Sequence, residues 1–575
     1  MKAGAESFMT LLRSDVQFKV PIYQRLYDWK TYHCQTLIDD ILQLLRNPEI
    51  PIHFMGSIVY IDEDGQSRVG KTKEVLLIDG QQRITTFTLI FLILEKAAIN
   101  GGNDLAEEIR NRCLINQYSK LDNKNKLVLT RNDNEILEML LRGQKTENTD
   151  SNLILNYKYL KSQFEKILEE FTVNDIYDNL DRIMVVDVGL LPGQDNPQQI
   201  FESLNATGKA LTDADLIRNF LLMNLEYEFQ NKIYLNYWHP MEKLLSNDLT
   251  DFLEFFAYMK KSVSTNIKDL YKDFKILFYK EVLSEEIRDE DVEKFAAQLI
   301  QYAEYYKTIL SATDKSNNVN KALNSLNRLN YFSHIPLLLR VFNEYKMGDL
   351  SSDELADIIK VIESFLFRRS ICNIPTNSLN PIFRTLWKKI KDSEKSLDEF
   401  IISSSLKQKI INELKSGERN KRWPDDDEFK EKLIYNDLYR HRFDRLLLEE
   451  LEKMSSKESR KDFDKTLSVE HIMPQTSGDP EKLSDDWKQM LGEDYVEIRN
   501  KWIHKMGNLT LTGYNSELSD SFFDLKKNMK DGFKKSPIKL NLEIAEYDVW
   551  NEETILNRSH KLAAKAIERW SYFEF

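Results

Sequence analysis

The stretch Val469-Glu470-His471-Ile472-Met473-Pro474-Gln475 places a carboxylate and an imidazole side by side at the end of an apolar, β-rich run. A second run, Gly507-Asn508-Leu509-Thr510-Leu511-Thr512, is also typical of a strand, and it leads through Asn515 to a helical segment that carries Lys526 and Lys527. The order strand, loop, strand and helix predicts a small ββα finger. Such a finger can hold one divalent cation beside a neutral imidazole, because the cation needs oxygen ligands and the imidazole can take a proton from water.

Residue chemistry suggests a role for each polar side chain of this predicted finger. Glu470 and the side-chain carbonyl of Asn515 are hard oxygen donors of the kind that Mg²⁺ or Mn²⁺ prefers. His471 is the candidate general base, because imidazole is the side chain whose unperturbed pKa lies near neutrality. Asn508 is expected to hold the loop that carries the histidine rather than to touch a metal. One of the two lysines is expected to face the scissile phosphate and its developing charge.

A simpler interpretation applies to any isolated Glu-His pair, namely a polar pair at the end of a strand. Here Glu470-His471 is joined by a second strand, a further asparagine and paired lysines within one segment, and this combination favours a functional site. From Ile498 to Leu540 the chain also carries nine Lys or Arg against four Asp or Glu, although the whole protein has a net charge of −13. A local basic surface suits phosphate binding, and a solvated basic face is the alternative.

The segment resembles the HNH, or His-Me finger, nuclease domain of GmrSD-type, modification-dependent (type IV) restriction endonucleases. The resemblance begins at Arg422-Trp423-Pro424-Asp425 and extends to about residue 565. It implies metal-dependent hydrolysis of phosphodiesters in double-stranded DNA, with modified phage DNA as the expected substrate. The chain departs from HNH enzymes in general at the last ligand position, where Asn515 stands in place of the frequent histidine. An amide oxygen is compatible with Mg²⁺ or Mn²⁺ and less so with tight Zn²⁺ binding.

A motif in the N-terminal part of the chain is suited to anion binding. A predicted strand ends in Asp79-Gly80-Gln81-Gln82-Arg83, and an apolar helix follows. Backbone N–H groups after Gly80 can point at an anion, while Arg83 can add a bidentate fork and Asp79 a metal ligand. A helix cap with surface glutamines is the alternative.

This run and the upstream Pro21-Ile22-Tyr23-Gln24-Arg25-Leu26-Tyr27-Asp28-Trp29 resemble the signature motifs of the N-terminal GmrSD domain, which has a ParB/sulfiredoxin-like fold. The segment from Phe201 to Asp215 resembles the third motif of that family, and Thr212 with Asp215 also has the spacing of a capping box. The resemblance implies binding and hydrolysis of a nucleoside triphosphate (GTP, ATP or another) and sensing of modified DNA. The nucleotide-binding residues that it implies are Gln24, Arg25, Asp79, Gly80, Gln81, Gln82, Arg83, Asn205, Lys209 and Asp215.

Length and composition bound the remaining possibilities. At 575 residues, with 42% hydrophobic and 30% charged residues, the chain is expected to form several soluble globular domains. Its cysteines, Cys34, Cys113 and Cys372, are scattered, which argues against a disulfide framework and a zinc ribbon. The N-terminal residues lack the apolar core of a signal peptide, and the longest apolar run, Phe87 to Leu94, is too short to span a bilayer. A cytoplasmic protein without a membrane partner is expected.

The sequence therefore predicts an α+β multidomain protein. Residues 1–225 are expected to form a ParB/sulfiredoxin-like nucleotide-binding and sensor domain, 226–420 a largely helical middle region, and 421–565 a C-terminal ββα-metal HNH nuclease domain with flanking helices. The predicted function is a DNA endonuclease of bacterial anti-phage defence whose cleavage is controlled by the nucleotide. Two alternatives remain open: a nucleotide-dependent nucleic-acid-binding protein with an inactive nuclease fold, and an RNase-type toxin. A homo-oligomer or a defence-system partner also remains open.

Overall fold

The computed structural model describes residues 2–62, 72–117, 119, 124–144, 150–191, 195, 198–200, 202, 211–223, 225, 227–282, 288–395, 404–455, 467–513, 518 and 520–573. The chain divides into two compact units, a first unit of Met1–Leu253 with Asp269–Ile300 and a second unit of Glu254–Lys268 with Gln301–Phe575. It is mostly helical with a mixed sheet, as an α+β multidomain protein should be. The finer division into three domains stays a prediction. No helix within the described ranges has both the length and the apolar character needed to cross a bilayer.

The first unit is built on a six-stranded mixed sheet. Its strands are β1 (Lys2–Ser7), β2 (Val16–Lys19), β3 (His53–Asp62), β4 (Lys73–Asp79), β5 (Leu127–Val128) and β6 (Ile183–Leu190). They lie in the order β1-β6-β3-β4-β2-β5. Strand β3 runs parallel to β6, and β2 runs parallel to β4 and β5, whereas the β1–β6 and β3–β4 pairs are antiparallel.

Helices make up most of the described chain. They are α1 (Phe8–Arg13), α2 (Thr31–Arg46), α3 (Gln81–Asn100), α4 (Leu105–Ile109), α5 (Arg131–Leu141), α6 (Asn152–Ile167), α7 (Val173–Asn179), α8 (Asp213–Leu222), α9 (Tyr227–Ile233), α10 (His239–Leu245), α11 (Leu249–Lys261), α12 (Leu270–Val282), α13 (Asp289–Ser311), α14 (Asn317–Asn327), α15 (Ile335–Met347), α16 (Ser352–Ile371), α17 (Leu379–Glu394), α18 (Leu406–Lys415), α19 (Asp426–Tyr435), α20 (Asp444–Ser455), α21 (Asp485–Leu491), α22 (Tyr495–Trp502), α23 (Phe523–Asn528), α24 (Lys539–Ala545) and α25 (Glu552–Arg569). Between residues 227 and 455 the described part of the chain contains helices and no strand.

Helix α3 fills the core of the first unit. Every side chain from Ile84 to Leu94 is buried. Because the helix is surrounded by the core, its sequence is apolar on nearly all sides and not amphipathic. The helix starts after Gly80, which has a φ of 95°. A Cβ at this position would lie 2.3 Å from Cδ1 of Ile58. Glycine is therefore required where β4 turns into α3.

The second unit contains a two-stranded antiparallel sheet, β7 (Ser468–His471) and β8 (Leu509–Thr512). Its register pairs Glu470 with Thr510 and His471 with Leu509. Helix α23 follows β8 along the chain, so the predicted order of two strands and a helix is present. A buried core packs around this segment, and its largest members are Trp487, Trp502 and Trp550.

The turn before β8 packs closely against helix α25. A Cβ on Gly507 would lie 2.2 Å from the carbonyl oxygen of Ile555 and 2.3 Å from Oγ of Ser559. From the same helix, the buried Arg558 donates to the carbonyl oxygens of Gly507 and Leu509 at 2.7 and 2.9 Å. Helix α25 thus fixes β8, and β8 in turn fixes β7.

Candidate functional site

The carboxylate of Glu470 lies inside the second unit rather than on its surface. Its side chain is 11% exposed, and Oε1 accepts a hydrogen bond of 2.9 Å from Nζ of the fully buried Lys526. The same ammonium group donates to the backbone oxygen of His471 at 2.8 Å. Burial raises the pKa of Glu470 and lowers the pKa of Lys526, and their ion pair opposes both shifts. Lys526 therefore ties β7 to α23.

The second predicted phosphate-facing lysine, Lys527, also has partners within the protein. Its Nζ donates to the backbone oxygen of Tyr547 at 2.9 Å and lies 3.2 Å from Oδ1 of Asp524. Both lysines are buried, so in this structure they stabilise the frame of the finger. A contact of Lys526 or Lys527 with a scissile phosphate stays a prediction.

The imidazole of His471 is neutral and has a partner at each ring nitrogen. Burial, helped by the neighbouring His504, lowers the pKa of His471 to about 3, so the ring is uncharged at neutral pH. The amide nitrogen of Gln475 lies 2.7 Å from Nδ1, and Nδ1 of His504 lies 3.2 Å from Nε2. The ring of Tyr439 packs edge-on, with the two ring centroids 4.3 Å apart. The ring is therefore neutral and carries one lone pair, although a pKa this far below neutrality weakens it as a base.

Asn508 ties together three segments around the site. Its Oδ1 accepts hydrogen bonds from the backbone N of Met473 at 2.8 Å and from Nε1 of Trp550 at 3.0 Å. Its Nδ2 donates to the backbone oxygens of Met473 and Ile503 at 3.1 and 3.0 Å. These bonds hold the chain just after His471 in place.

The Asn508→Ala variant is expected to lose about 2–4 kcal/mol of the free energy of unfolding, because several buried donors and acceptors are left without partners. Chemical denaturation followed by tryptophan fluorescence measures the loss. The matched control is Asn557→Ala on the exposed face of α25, which should change stability by less than about 0.5 kcal/mol. Equal stability of the two variants would contradict this role.

In the first unit, glutamines of α3 hold the loop formed by residues 21–29. Gln81 donates to the backbone oxygen of Arg25 at 3.2 Å, and Oε1 of Gln82 accepts from the backbone N of Asp28 at 2.9 Å. Gln24 reaches back from the loop and donates to a backbone oxygen of β4 at 3.1 Å. These three predicted nucleotide-binding residues therefore hold the backbone of the loop in place through hydrogen bonds.

A cleft of about 480 Å³ lies beside this loop, which is large enough for a small ligand. The residues that line it are Gln24, Arg25, Leu26, Tyr27, Asp28, Asn152, Thr212, Asp215, Arg218 and Glu242. Of the predicted nucleotide residues, the cleft brings together Gln24, Arg25 and Asp215. Arg25 is half-buried, and no carboxylate in the described part of the chain pairs with its guanidinium.

Asp79 and Arg83 are not among the described residues that line this cleft. The guanidinium of Arg83 donates to the Asp79 carboxylate at 3.0 Å and to the backbone oxygen of Met55 at 2.8 Å. Gly80 forms the turn between the two charged residues. A contact of these residues with a nucleotide stays a prediction. Three predicted site residues lie outside the described part of the chain: Asn205, Lys209 and Asn515.

Arg218 and Glu242 belong to the cleft but were not singled out from the sequence. The buried guanidinium of Arg218 donates to the backbone oxygen of Tyr23 at 2.6 Å and to the carboxylates of Asp215 and Glu242 at 2.7 Å each. The three-residue spacing of Asp215 and Arg218 on one helix was an available signal. Glu242 comes from another helix and gives no local signal.

His504 lies beside His471, and Arg440 lies beside Tyr439, whose ring packs against His471; neither residue was singled out from the sequence. Arg440 is exposed, its φ is 64°, and its guanidinium lies 5.4 Å from the ring centroid of Tyr439. No carboxylate in the described ranges pairs with this side chain. A single histidine or arginine gives no periodic pattern from which a functional role could be predicted. The one available indication for His504 was its position four residues before Asn508, a predicted site residue.

Comparison with known proteins identifies the family of this chain. A family model for the N-terminal domain of the GmrSD restriction endonuclease matches residues 8–222, and a model for the C-terminal domain of the GmrSD restriction endonucleases matches residues 423–565. These matches make the protein a restriction endonuclease, an enzyme of restriction defence that cuts DNA. Within that class the chain belongs to the GmrSD family, as its motifs predicted. A search of curated proteins gave no match.

Proposed function

We propose that this restriction endonuclease is a metal-dependent enzyme of anti-phage defence that cuts modified foreign DNA under the control of a nucleoside triphosphate. The observation that carries the proposal is the antiparallel pair β7–β8 followed by α23, with Glu470 and the buried His471 at the end of β7. The family supplies the substrate class, DNA. The HNH type of the finger and a ParB/sulfiredoxin-like fold for the first unit are part of the same proposal.

The chemistry of the residues around His471 is compatible with Mg²⁺ or Mn²⁺. Among the described residues no group of three or more His, Cys, Asp or Glu side chains is placed to hold a metal ion. Mg²⁺ is commonly bound by one or two protein oxygens together with water and substrate phosphate, so Glu470 with Asn515 would suffice. When bound, the cation would stabilise the negative charge that develops on the phosphate. His471 takes the proton of the attacking water, and Lys526 keeps β7 in place.

The substrate is tested with matched DNA and RNA duplexes incubated with Mg²⁺ or with a chelator. The proposal predicts metal-dependent cleavage of the DNA duplex. Cleavage of RNA alone would favour the RNase-type toxin. A folded protein that binds DNA but cuts neither duplex would favour the inactive nuclease fold.

The nucleotide is proposed to bind in the cleft beside Arg25. The Arg25→Ala variant is expected to bind the triphosphate about 10- to 100-fold more weakly, since a charged hydrogen bond contributes about 1.5–3 kcal/mol. Isothermal titration with GTP and ATP measures the affinity. The control is Arg112→Ala, an exposed arginine of the same unit. An unchanged Kd in Arg25→Ala would exclude this cleft as the phosphate site.

Arg440 is proposed to bind a DNA phosphate next to the site of cleavage. The exposed guanidinium is available for a phosphate, which it can bind bidentately. The Arg440→Ala variant should raise Kd for DNA and reduce the salt dependence of binding by about one phosphate contact, with kcat little changed. Arg419→Ala is a matched control, because Arg419 is also exposed and also has a positive φ, 51°. Identical salt dependence in both variants would rule out the contact.

A further inference from the structure

His471 and His504 form a hydrogen-bonded pair of imidazoles. Nε2 of His471 lies 3.2 Å from Nδ1 of His504, and a bond at this distance needs one N–H group and one lone pair. Two neutral rings can form this bond only when one facing nitrogen carries a proton and the other does not. The protonation pattern of one ring therefore determines that of the other.

The amide of Gln475 decides which tautomer His471 adopts. Its nitrogen carries only donors and lies 2.7 Å from Nδ1 and 3.4 Å from Nε2 of His471, so the closer nitrogen, Nδ1, is the acceptor. The proton of the neutral ring is then on Nε2, and this N–H group donates to Nδ1 of His504. The basic lone pair of His471 is then on Nδ1, where the half-buried amide of Gln475 covers it in this structure.

His504 is itself fixed in place. Its backbone oxygen accepts hydrogen bonds from the backbone N of Leu438 at 2.9 Å and of Tyr439 at 3.3 Å. Its ring stacks on the ring of Tyr439, with centroids 5.3 Å apart and planes inclined by 10°. The same tyrosine packs edge-on against His471, so one aromatic ring holds both imidazoles. Packing alone does not require Nδ1 of His504 to face Nε2 of His471, as it does here.

We propose that His504 is a positioning residue that fixes the tautomer and the ring orientation of His471. The inference rests on the proposed function only in its effect on catalysis, because the tautomer itself can be observed without any substrate. A partner that fixes the far nitrogen of a functional imidazole is a recurring device in enzymes and metal sites, and its loss typically costs about 10- to 100-fold in activity.

The spectroscopic test uses the full chain labelled with ¹⁵N in its eight histidines. The His471 signals are identified by their absence in His471→Gln. Wild type should show His471 protonated on Nε2. His504→Gln should keep that pattern, because the glutamine oxygen can accept the same hydrogen bond, whereas His504→Ala should show a mixture of tautomers. An unchanged pattern in His504→Ala would overturn the proposal, even if the protein cut no DNA.

The kinetic test uses the same variants on DNA. His504→Ala should lower kcat about 10- to 100-fold with little change in KM, and His504→Gln should recover most of the loss. The exposed His560→Ala serves as the control. Wild-type kcat in His504→Ala, or equal loss in the alanine and glutamine variants, would contradict a positioning role. Wild-type protein that cuts no DNA would count against the proposed function and leave the tautomer result as the test of His504.

Discussion

The His471→Ala variant is expected to cut DNA about 10²- to 10⁴-fold more slowly than wild type while remaining folded. Burial lowers the pKa of the imidazole to about 3, so the ring is uncharged at neutral pH and carries a lone pair, and it is the proposed acceptor of the proton from water. Alanine removes that acceptor. The measurement is single-turnover cleavage in Mg²⁺ with enzyme in excess, which separates the chemical step from product release.

Two further variants separate loss of the base from loss of structure. His471→Gln keeps a polar side chain in the site but cannot act as a base of comparable strength, so it should be nearly as slow as His471→Ala. His560→Ala removes an exposed histidine of the same unit and should cut at the wild-type rate. Wild-type cleavage by a folded His471→Ala protein would show that another group activates the water.

The Lys526→Met variant is expected to lose about 3–5 kcal/mol of the free energy of unfolding, because it leaves the carboxylate of Glu470 buried without its cation. Lys526 is fully buried and makes hydrogen bonds of 2.9 and 2.8 Å to Glu470 and to the backbone of His471. Methionine has a similar volume, so the lost charge dominates the effect. Urea denaturation followed by tryptophan fluorescence reports on the second unit, which contains most of the tryptophans.

The control for this prediction removes the second charge as well. The double variant Glu470→Gln/Lys526→Met should recover a large part of the lost stability, because no unpaired charge is then buried. Lys530→Met, at an exposed position near the same helix, should change stability by less than about 0.5 kcal/mol. If Lys526→Met unfolds at the wild-type urea concentration, the buried ion pair does not stabilise the finger.

The residues that lie close together along the chain were the easiest to predict. Glu470 and His471 stand at the end of a strand that the apolar pattern of the sequence predicts. The run after Gly507 forms the partner strand. Burial was harder to predict. Paired lysines on a short helix favour an exposed basic face. Lys526 nevertheless points inward, because the carboxylate of Glu470 lies within hydrogen-bond distance of its ammonium group. Only the packing of α23 against β7 reveals that partner.

Contacts between distant segments were not predictable from the sequence. His504 was not singled out from the sequence, and its alignment with His471 depends on the stacking of Tyr439 from a different segment. The turn at Gly80 was predicted correctly because a strand, a glycine and a helix start leave a local pattern. In contrast, the pairing of Arg218 with Glu242 joins two helices whose arrangement no local pattern encodes.

The most direct test of the proposed function is a cleavage assay on unmodified and phage-modified DNA with Mg²⁺ or Mn²⁺, with and without each triphosphate. The expected result is cleavage of modified DNA by wild type, no cleavage by His471→Ala, and an altered response to the triphosphate in Arg25→Ala. Failure of well-folded wild-type protein to cut either DNA under any of these conditions, or equal cleavage by His471→Ala, would contradict the account.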